Sequence, residues 1–314
     1  MLLLPLAIGL GCDIAPVAGT AAASKRLRLI VQPDAGPAPV VALLASARNS
    51  LWLEMYLLTA DAAIGAIEDR ARAGCDVRVL LEPTPYRDEA GNRAAFSRLA
   101  AAGVDVRWAG GDRFRYAHAK MAVIDEARLV VMTSNLTDAG LGANREFVVV
   151  DEDPDDIAAA VALFSADRVG ALAGGGGRLV TSPENTRSTF SALIEAADRT
   201  LRWQSEELVE HRIQEAFVVA AGRGVEVTVV WPGPWSSASA TLAAAGVNAR
   251  PVTEPASHAK AAVVDGEACY VGSANLSPTS LDANREIGLL LHDREICGAV
   301  DTAIAGDAAR AGSP

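Results

Sequence analysis

A stretch of 30 residues occurs twice in this chain without a gap. HAKMAVIDEARLVVMTSNLTDAGLGANREF begins at His118, and HAKAAVVDGEACYVGSANLSPTSLDANREI begins at His258. Such a repeat constrains the fold more than composition does, because each copy must build the same supersecondary unit. The likeness continues upstream: residues 99–107 match 242–250, 71–83 match 221–233, and 46–56 match 196–206. The separation shifts between blocks, as it does when a surface loop shortens. The sequence therefore divides into a leader (1–24), a first half (25–173), a flexible glycine joint (174–177) and a second half (178–314).

Each half alternates strand and helix signals. RLRLIVQP, SLWLEMYLL and DVRVLLE read as strands, and PVVALLASAR and DAAIGAIEDRARAG as helices, the last ending at Gly74 in the position that favours a left-handed cap. Further strands follow at DVRWAG, AKMAVID, RLVVMTS and EFVVVDE, and a helix over 155–172 closes the first half. Continuous apolar runs such as VRVLL and EVTVVW suit central strands covered on both faces. The expected fold is α/β, with two α/β/α sandwich halves and mixed central sheets related by a pseudo-twofold axis.

The scarcity of two residue types singles out the motif. The chain has three lysines, Lys25, Lys120 and Lys260, against 25 arginines, and four histidines, His118, His211, His258 and His292. Both repeats nevertheless keep Lys two residues after His, which points to a need for a compact ammonium rather than a guanidinium. In an extended HAK segment the His and Lys side chains leave one face and Ala119 the other. Two imidazoles and two ammoniums converging on one pocket make an anion site suited to a phosphodiester.

HAKMAVID and HAKAAVVD, each followed after six residues by MTSN or GSAN, resemble the signature of the phospholipase D superfamily. The likeness runs from about residue 27 to 305. It implies a metal-independent phosphodiesterase without a cofactor, in which one His attacks phosphorus and the other exchanges protons with the leaving and incoming oxygens. A side chain with a pKa of about 6.5 suits both tasks. By this likeness His118 is the nucleophile and His258 the acid and base. Lys120, Lys260, Asn135, Asn275, Thr133 and Ser273 hold the phosphate, Glu146 and Glu286 orient the histidines, and Asp125 and Asp265 brace the fold. Two departures separate the halves: Met132–Thr133 stands against Gly272–Ser273, and Glu54 against Gln204. Arg113, Phe114, Arg115, Tyr116 and Trp235 are candidates for the substrate mouth. His211 and His292 lack repeat counterparts and read as non-catalytic.

The net charge of −11 argues against a general nucleic-acid binder, which gains affinity through Lys and Arg. The start, MLLLPLAIGLGC, is too short to span a bilayer and resembles a bacterial lipoprotein signal with Cys12 as the lipidated residue. It departs from that pattern in having no Lys or Arg before the apolar run and Gly at position 9. The expectation is an exported, envelope-anchored protein; the alternative is a cytoplasmic one with an apolar N-terminus. Cys75, Cys269 and Cys297 read as buried small residues. The expected partner is a phospholipid at a membrane surface, met by a monomer with pseudo-dimeric halves. The alternatives are an endonuclease, a cardiolipin synthase-like phosphatidyl transferase and an inactive lipid-binding scaffold.

Overall fold

The computed structural model describes residues 26–86, 91–110, 113–171 and 173–311. The leader and Cys12 lie outside the described residues. The first half builds a seven-stranded sheet from β1 (Leu27–Gln32), β2 (Ser50–Met55), β3 (Asp76–Leu81), β4 (Asp105–Trp108), β5 (Lys120–Ile124), β6 (Arg128–Met132) and β7 (Glu146–Asp151), in the order β1-β7-β6-β5-β2-β3-β4. Strands β2, β3 and β4 run parallel, and the remaining pairs antiparallel. Its helices are α1 (Ala38–Ala45), α2 (Asp61–Arg72), α3 (Arg93–Ala101), α4 (Asp138–Gly142) and α5 (Pro154–Arg168).

The second half repeats this plan. Its strands are β8 (Leu179–Ser182), β9 (Thr200–Gln204), β10 (Glu226–Trp231), β11 (Asn248–Pro251), β12 (Ala261–Val264), β13 (Ala268–Gly272) and β14 (Glu286–Leu291), in the order β11-β10-β9-β12-β13-β14-β8. Its helices are α6 (Thr186–Glu195), α7 (His211–Gly222), α8 (Ser237–Ala244), α9 (Pro278–Asp282) and α10 (Arg294–Arg310). The α/β sandwich architecture expected from the alternating signals is therefore present in both halves.

Strand alternation divides the apolar residues between three cores. Ala122 and Ile124 of β5 pack with Leu43, Ile64 and Leu99 of α1, α2 and α3. Phe190, Phe217 and Leu242 of α6, α7 and α8 form the matching core of the second half. The third core is the seam. Met121 and Val123 point into it from β5, joined by Phe147, Val271 and Ile287 from both sheets and by Leu163 and Val300 from α5 and α10. Burying apolar area from both halves in one core makes the halves a single packing unit, at roughly 25 cal/mol per Å² removed from water.

Two local expectations need correction. Cys269 and Cys297 are not separate buried residues: packing of β13 against α10 brings their Cα atoms to 5.3 Å, and they form a disulfide. Cys75 is buried and unpaired. The glycine joint, 174–177, is exposed along its length, and its last residue is tied to the first half. Gly177 adopts φ +58°, and a Cβ there would strike the Asp156 carboxylate, which accepts from Arg178 N and Nε. Finally, the contrast of Met132 with Gly272 concerns core volume. Gly272 and Gly288 leave room for the Tyr270 ring, whereas the equivalent positions of the first half hold Met132, Val148 and Val130. Tyr270 repays its buried hydroxyl by accepting from Ala274 N.

Candidate active site

The segments before the repeated motifs cross the seam. Ala117 forms a parallel bridge with Arg285, and Arg145 forms one with Ser257. His118 N donates to Arg285 O at 2.9 Å, and Arg285 N to Tyr116 O at 2.9 Å. Glu82 accepts from Ala117 N at 2.7 Å and steadies the entry to β5. In a parallel bridge the next residues along each chain become neighbours. His118 therefore meets Glu286, and His258 meets Glu146, each glutamate serving the histidine of the opposite half.

His118 Nδ1 lies 2.8 Å from Glu286 Oε2. An ionised carboxylate only accepts, so Nδ1 carries the proton and Nε2 keeps its lone pair. Burial pushes the His118 pKa down, and Lys120 and Lys260 add to that against the pull of Glu286. The neutral ring is thus the favoured form. Burial also opposes the charge of Glu286, but His118 and Lys120 outweigh it and hold the carboxyl below its ordinary range. Ser273 Oγ, at 2.6 Å, also donates to Oε2, and Ser280 Oγ and Asn284 Nδ2 donate to Oε1 at 2.5 and 2.9 Å.

His258 is held differently. Its Nδ1 lies 2.5 Å from Glu146 Oε1, and its Nε2 lies 3.3 Å from Glu206 Oε2. Lys260 Nζ lies 3.2 Å and 3.3 Å from the same two nitrogens, so two carboxylate acceptors and an ammonium donor all face the ring. Thr133 Oγ1 donates to Glu146 Oε2 at 2.5 Å. Thr133 and Ser273 are fully buried and also accept from Phe147 N and Ile287 N. The expected phosphate contacts of Thr133 and Ser273 are therefore corrected: their hydroxyls brace the orienting glutamates, because the β6–β7 and β13–β14 pairings turn them inward.

Both lysines are fully buried at the strand ends. Lys120 Nζ donates to His118 O at 2.9 Å and lies 5.1 Å from the Tyr56 ring centre. Burial, reinforced by Lys260, pulls the Lys120 pKa down to about 7. Lys260 Nζ likewise donates to His258 O, and donates as well to Glu206 Oε2 at 2.8 Å. Asn135 and Asn275 both line the cavity that His118 and His258 share, of about 580 Å³. Asn135 Oδ1 is buried without a partner, and Asn275 Nδ2 lies 3.4 Å from Glu206. Asp125 and Asp265 stand at the far ends of β5 and β12. Each adopts a left-handed backbone, φ 56° and 54°. Asp125 accepts from the backbone of Arg48, Asn49 and Ser50, and Asp265 from Asp198, Arg199 and Thr200.

Sequence reasoning missed several parts of this site. Glu206 and Tyr56 occupy equivalent places in the aligned blocks 196–206 and 46–56, so their mismatch was visible but unweighted. Arg145 and Arg285, which precede the orienting glutamates, were not singled out at all. Both are buried and reach across the seam, Arg145 to Asp307 and Arg285 to Asp167. Glu54 and Gln204 lie behind the cavity, not in it. Of the suggested mouth residues, Arg115 and Tyr116 line the cavity. Phe114 lies under the Arg285 guanidinium, Arg113 bonds the Ala171 carbonyl, and Trp235 sits near Trp231.

The family model described as cardiolipin synthase, PLD-like domain, matches residues 40–168 and 190–307, more than half of the chain. The chain belongs to the phospholipase D superfamily. A cardiolipin synthase of Oceanobacillus iheyensis is 24% identical over 301 residues, covering 80% of this chain and 62% of that protein. Cardiolipin synthase 2 of Bacillus cereus is 29% identical over 130 residues, 40% of this chain and 24% of that protein. The chain thus spans less than two thirds of the length of the curated relatives it matches. Among solved structures, phosphatidylserine synthase of Haemophilus influenzae superposes with a TM-score of 0.67 at 13% identity, covering 89% of this chain and 85% of that one. Polyphosphate kinase of Porphyromonas gingivalis superposes with a TM-score of 0.72 at 16% identity, covering 89% and 46%. These likenesses concern the fold. The family is one of phospholipase D-like phosphodiesterases and phosphatidyl transferases.

Proposed function

We propose that this protein is a metal-independent phosphodiesterase of phospholipase D type that acts on phospholipids through a phosphohistidine. The crosswise His–Glu pairing on one shared cavity carries the reading. His118 Nε2 attacks phosphorus, the P–O bond to the leaving group breaks, and His258 gives that oxygen a proton. His258 then takes a proton from water or an alcohol, whose oxygen attacks phosphorus and breaks the P–N bond, returning His118 to its neutral form. Lys120 and Lys260 supply positive charge near the non-bridging oxygens, with Asn135 and Asn275 as donors.

The cardiolipin synthases among its relatives favour a lipid substrate and make transfer to an alcohol the second reading. The net charge of −11 disfavours nucleic acid. An exported, Cys12-anchored monomer fits the leader, and the Cys269–Cys297 disulfide suits an oxidising compartment. Among the described residues no helix is long and apolar enough to cross a membrane.

The test presents purified protein in EDTA with phosphatidylcholine vesicles plus ethanol, with phosphatidylglycerol vesicles, and separately with plasmid DNA. Phosphatidate or phosphatidylethanol is the expected product. Cardiolipin formed from phosphatidylglycerol alone would move the function to transfer, and nicked DNA without lipid products would sink the lipid reading.

A further inference from the structure

The second half keeps a carboxylate where its phosphate ligands converge. Glu206 follows β9 by two residues, and its Oε2 lies 2.8 Å from Lys260 Nζ, 3.3 Å from His258 Nε2 and 3.4 Å from Asn275 Nδ2. Those are the groups through which this half would grip a phosphate oxygen, and one carboxylate oxygen already engages all three. The equivalent position in the first half is Tyr56. Its ring meets His118 edge-on at 4.5 Å and stands over Lys120, attracting the ammonium without bringing a net charge. At this position the two sides of the cavity therefore differ by one negative charge. Burial opposes that charge, but Lys260 and His258 outweigh it and hold Glu206 ionised, well below the ordinary carboxylate range. Glu207, which also lines the cavity, adds a second acidic side chain on the same side.

We propose that Glu206 is a specificity-determining residue, a charge filter that admits singly charged phosphodiesters and rejects doubly charged phosphomonoesters and inorganic phosphate. The inference rests on reading the cavity as a phosphodiester site. Coulomb repulsion scales with the charge of the ligand, so Glu206 costs a dianion about twice what it costs a monoanion. The Lys260 ammonium already faces the Glu206 carboxylate, so a second negative charge on the ligand meets a repulsion that the Tyr56 side of the cavity does not offer. The same filter expels the phosphomonoester that hydrolysis of a phospholipid diester would leave behind.

The probes are dimethyl phosphate, a monoanion, and methyl phosphate, which is largely a dianion at about pH 7.5. Their binding is measured by calorimetric titration of the full chain in three forms: wild type, Glu206→Gln and Glu206→Asp. Wild type is expected to bind dimethyl phosphate at least as tightly as methyl phosphate despite the smaller charge. Glu206→Gln is expected to tighten methyl phosphate by about tenfold or more and dimethyl phosphate by about the square root of that factor, whereas Glu206→Asp keeps the wild-type preference. Equal gains for both probes, or no gain in a folded Gln variant, overturn the proposal. So does a wild type that prefers methyl phosphate, a result that needs no variant to fold. Turnover of bis(p-nitrophenyl) phosphate by wild type is scored separately. A charge-dependent gain without turnover sinks the phosphodiesterase reading alone, and turnover without the gain sinks the filter alone.

Discussion

His118 and His258 begin identical motifs, yet their surroundings have parted. The carboxylate behind His118 is fixed by three further donors, Ser273, Ser280 and Asn284, and the ring above it packs against Tyr56. The carboxylate behind His258 has the Thr133 hydroxyl, and a second carboxylate, Glu206, stands at the outer nitrogen. At the place of Ser280 the first half has Gly140, where a Cβ would strike the Asn135 carbonyl. The difference teaches that a duplicated motif can keep its residues while the surroundings specialise. The His118 imidazole is desolvated, and burial favours its neutral form, which suits the nucleophile proposed above. The other lies between two carboxylates with the Lys260 ammonium beside the ring.

The largest expected effect tests that division directly. His118→Ala and His258→Ala should each lower steady-state turnover of a phospholipid by at least about 10⁴-fold. With bis(p-nitrophenyl) phosphate, whose leaving group needs little protonation, His258→Ala should still release a stoichiometric burst of p-nitrophenol and then stall as the phosphohistidine. His118→Ala should give no burst. Rapid-quench measurement decides it, and a burst from His118→Ala instead would exchange the two roles.

A smaller effect concerns the lysines. Lys120 is pulled down to about 7 by burial and by Lys260. It is charged below that pH and loses its proton as pH rises through it. KM for a monoanionic diester should therefore rise from about pH 6 to about pH 8, by something near the tenfold that one lost ionic contact supplies. Lys120→Met should start from a higher KM and show no such step. A step of equal size in both proteins would assign the titration to another group.

The smallest effect lies behind the cavity. Glu54 is buried with both carboxylate oxygens lacking a hydrogen-bond partner, and burial together with Asp167 raises its pKa well above the ordinary range despite Arg285. Its neutral form costs nothing while pH is below the ordinary carboxylate value of about 4.3, and the native state loses stability as pH rises towards the shifted value. Gln204, its counterpart, donates to Ser257 and Asp307 and carries no charge. Glu54→Gln should therefore raise Tm by roughly 2–4 °C for each kcal/mol recovered, with the gain growing from pH 4 to pH 8. A pH-independent gain in thermal melts would mean that the carboxyl is not the cause.

Much of this was legible in the sequence. The repeat announced two equal halves, and strand alternation placed Ala119 in the core opposite His118 and Lys120, where it is found. Asp125 and Asp265 sit away from the cavity, holding backbone amides at tight turns. Other features were not legible. Thr133 and Ser273 looked like phosphate donors because they lie two residues from Asn135 and Asn275 in the motif, but the register of β6 against β7 and of β13 against β14 turns their hydroxyls to the glutamates. Cys269 and Cys297 looked like isolated small residues because nothing local brings β13 to α10.

The sequence by itself determined the inventory: two His–Lys pairs, two glutamates at matched distance, and the strand and helix order that carries them. Local pattern suffices for that, since strand period and helix caps are read within a few residues. Only the tertiary structure decided the partners. His118 and Glu286 stand 168 residues apart and meet because two sheets bury one apolar core and their edge segments bridge across it. Register over such a distance is set by packing, which no local pattern encodes. The same packing set Glu206 against Lys260 and Tyr56 over Lys120, giving two copies of one motif unequal electrostatic surroundings.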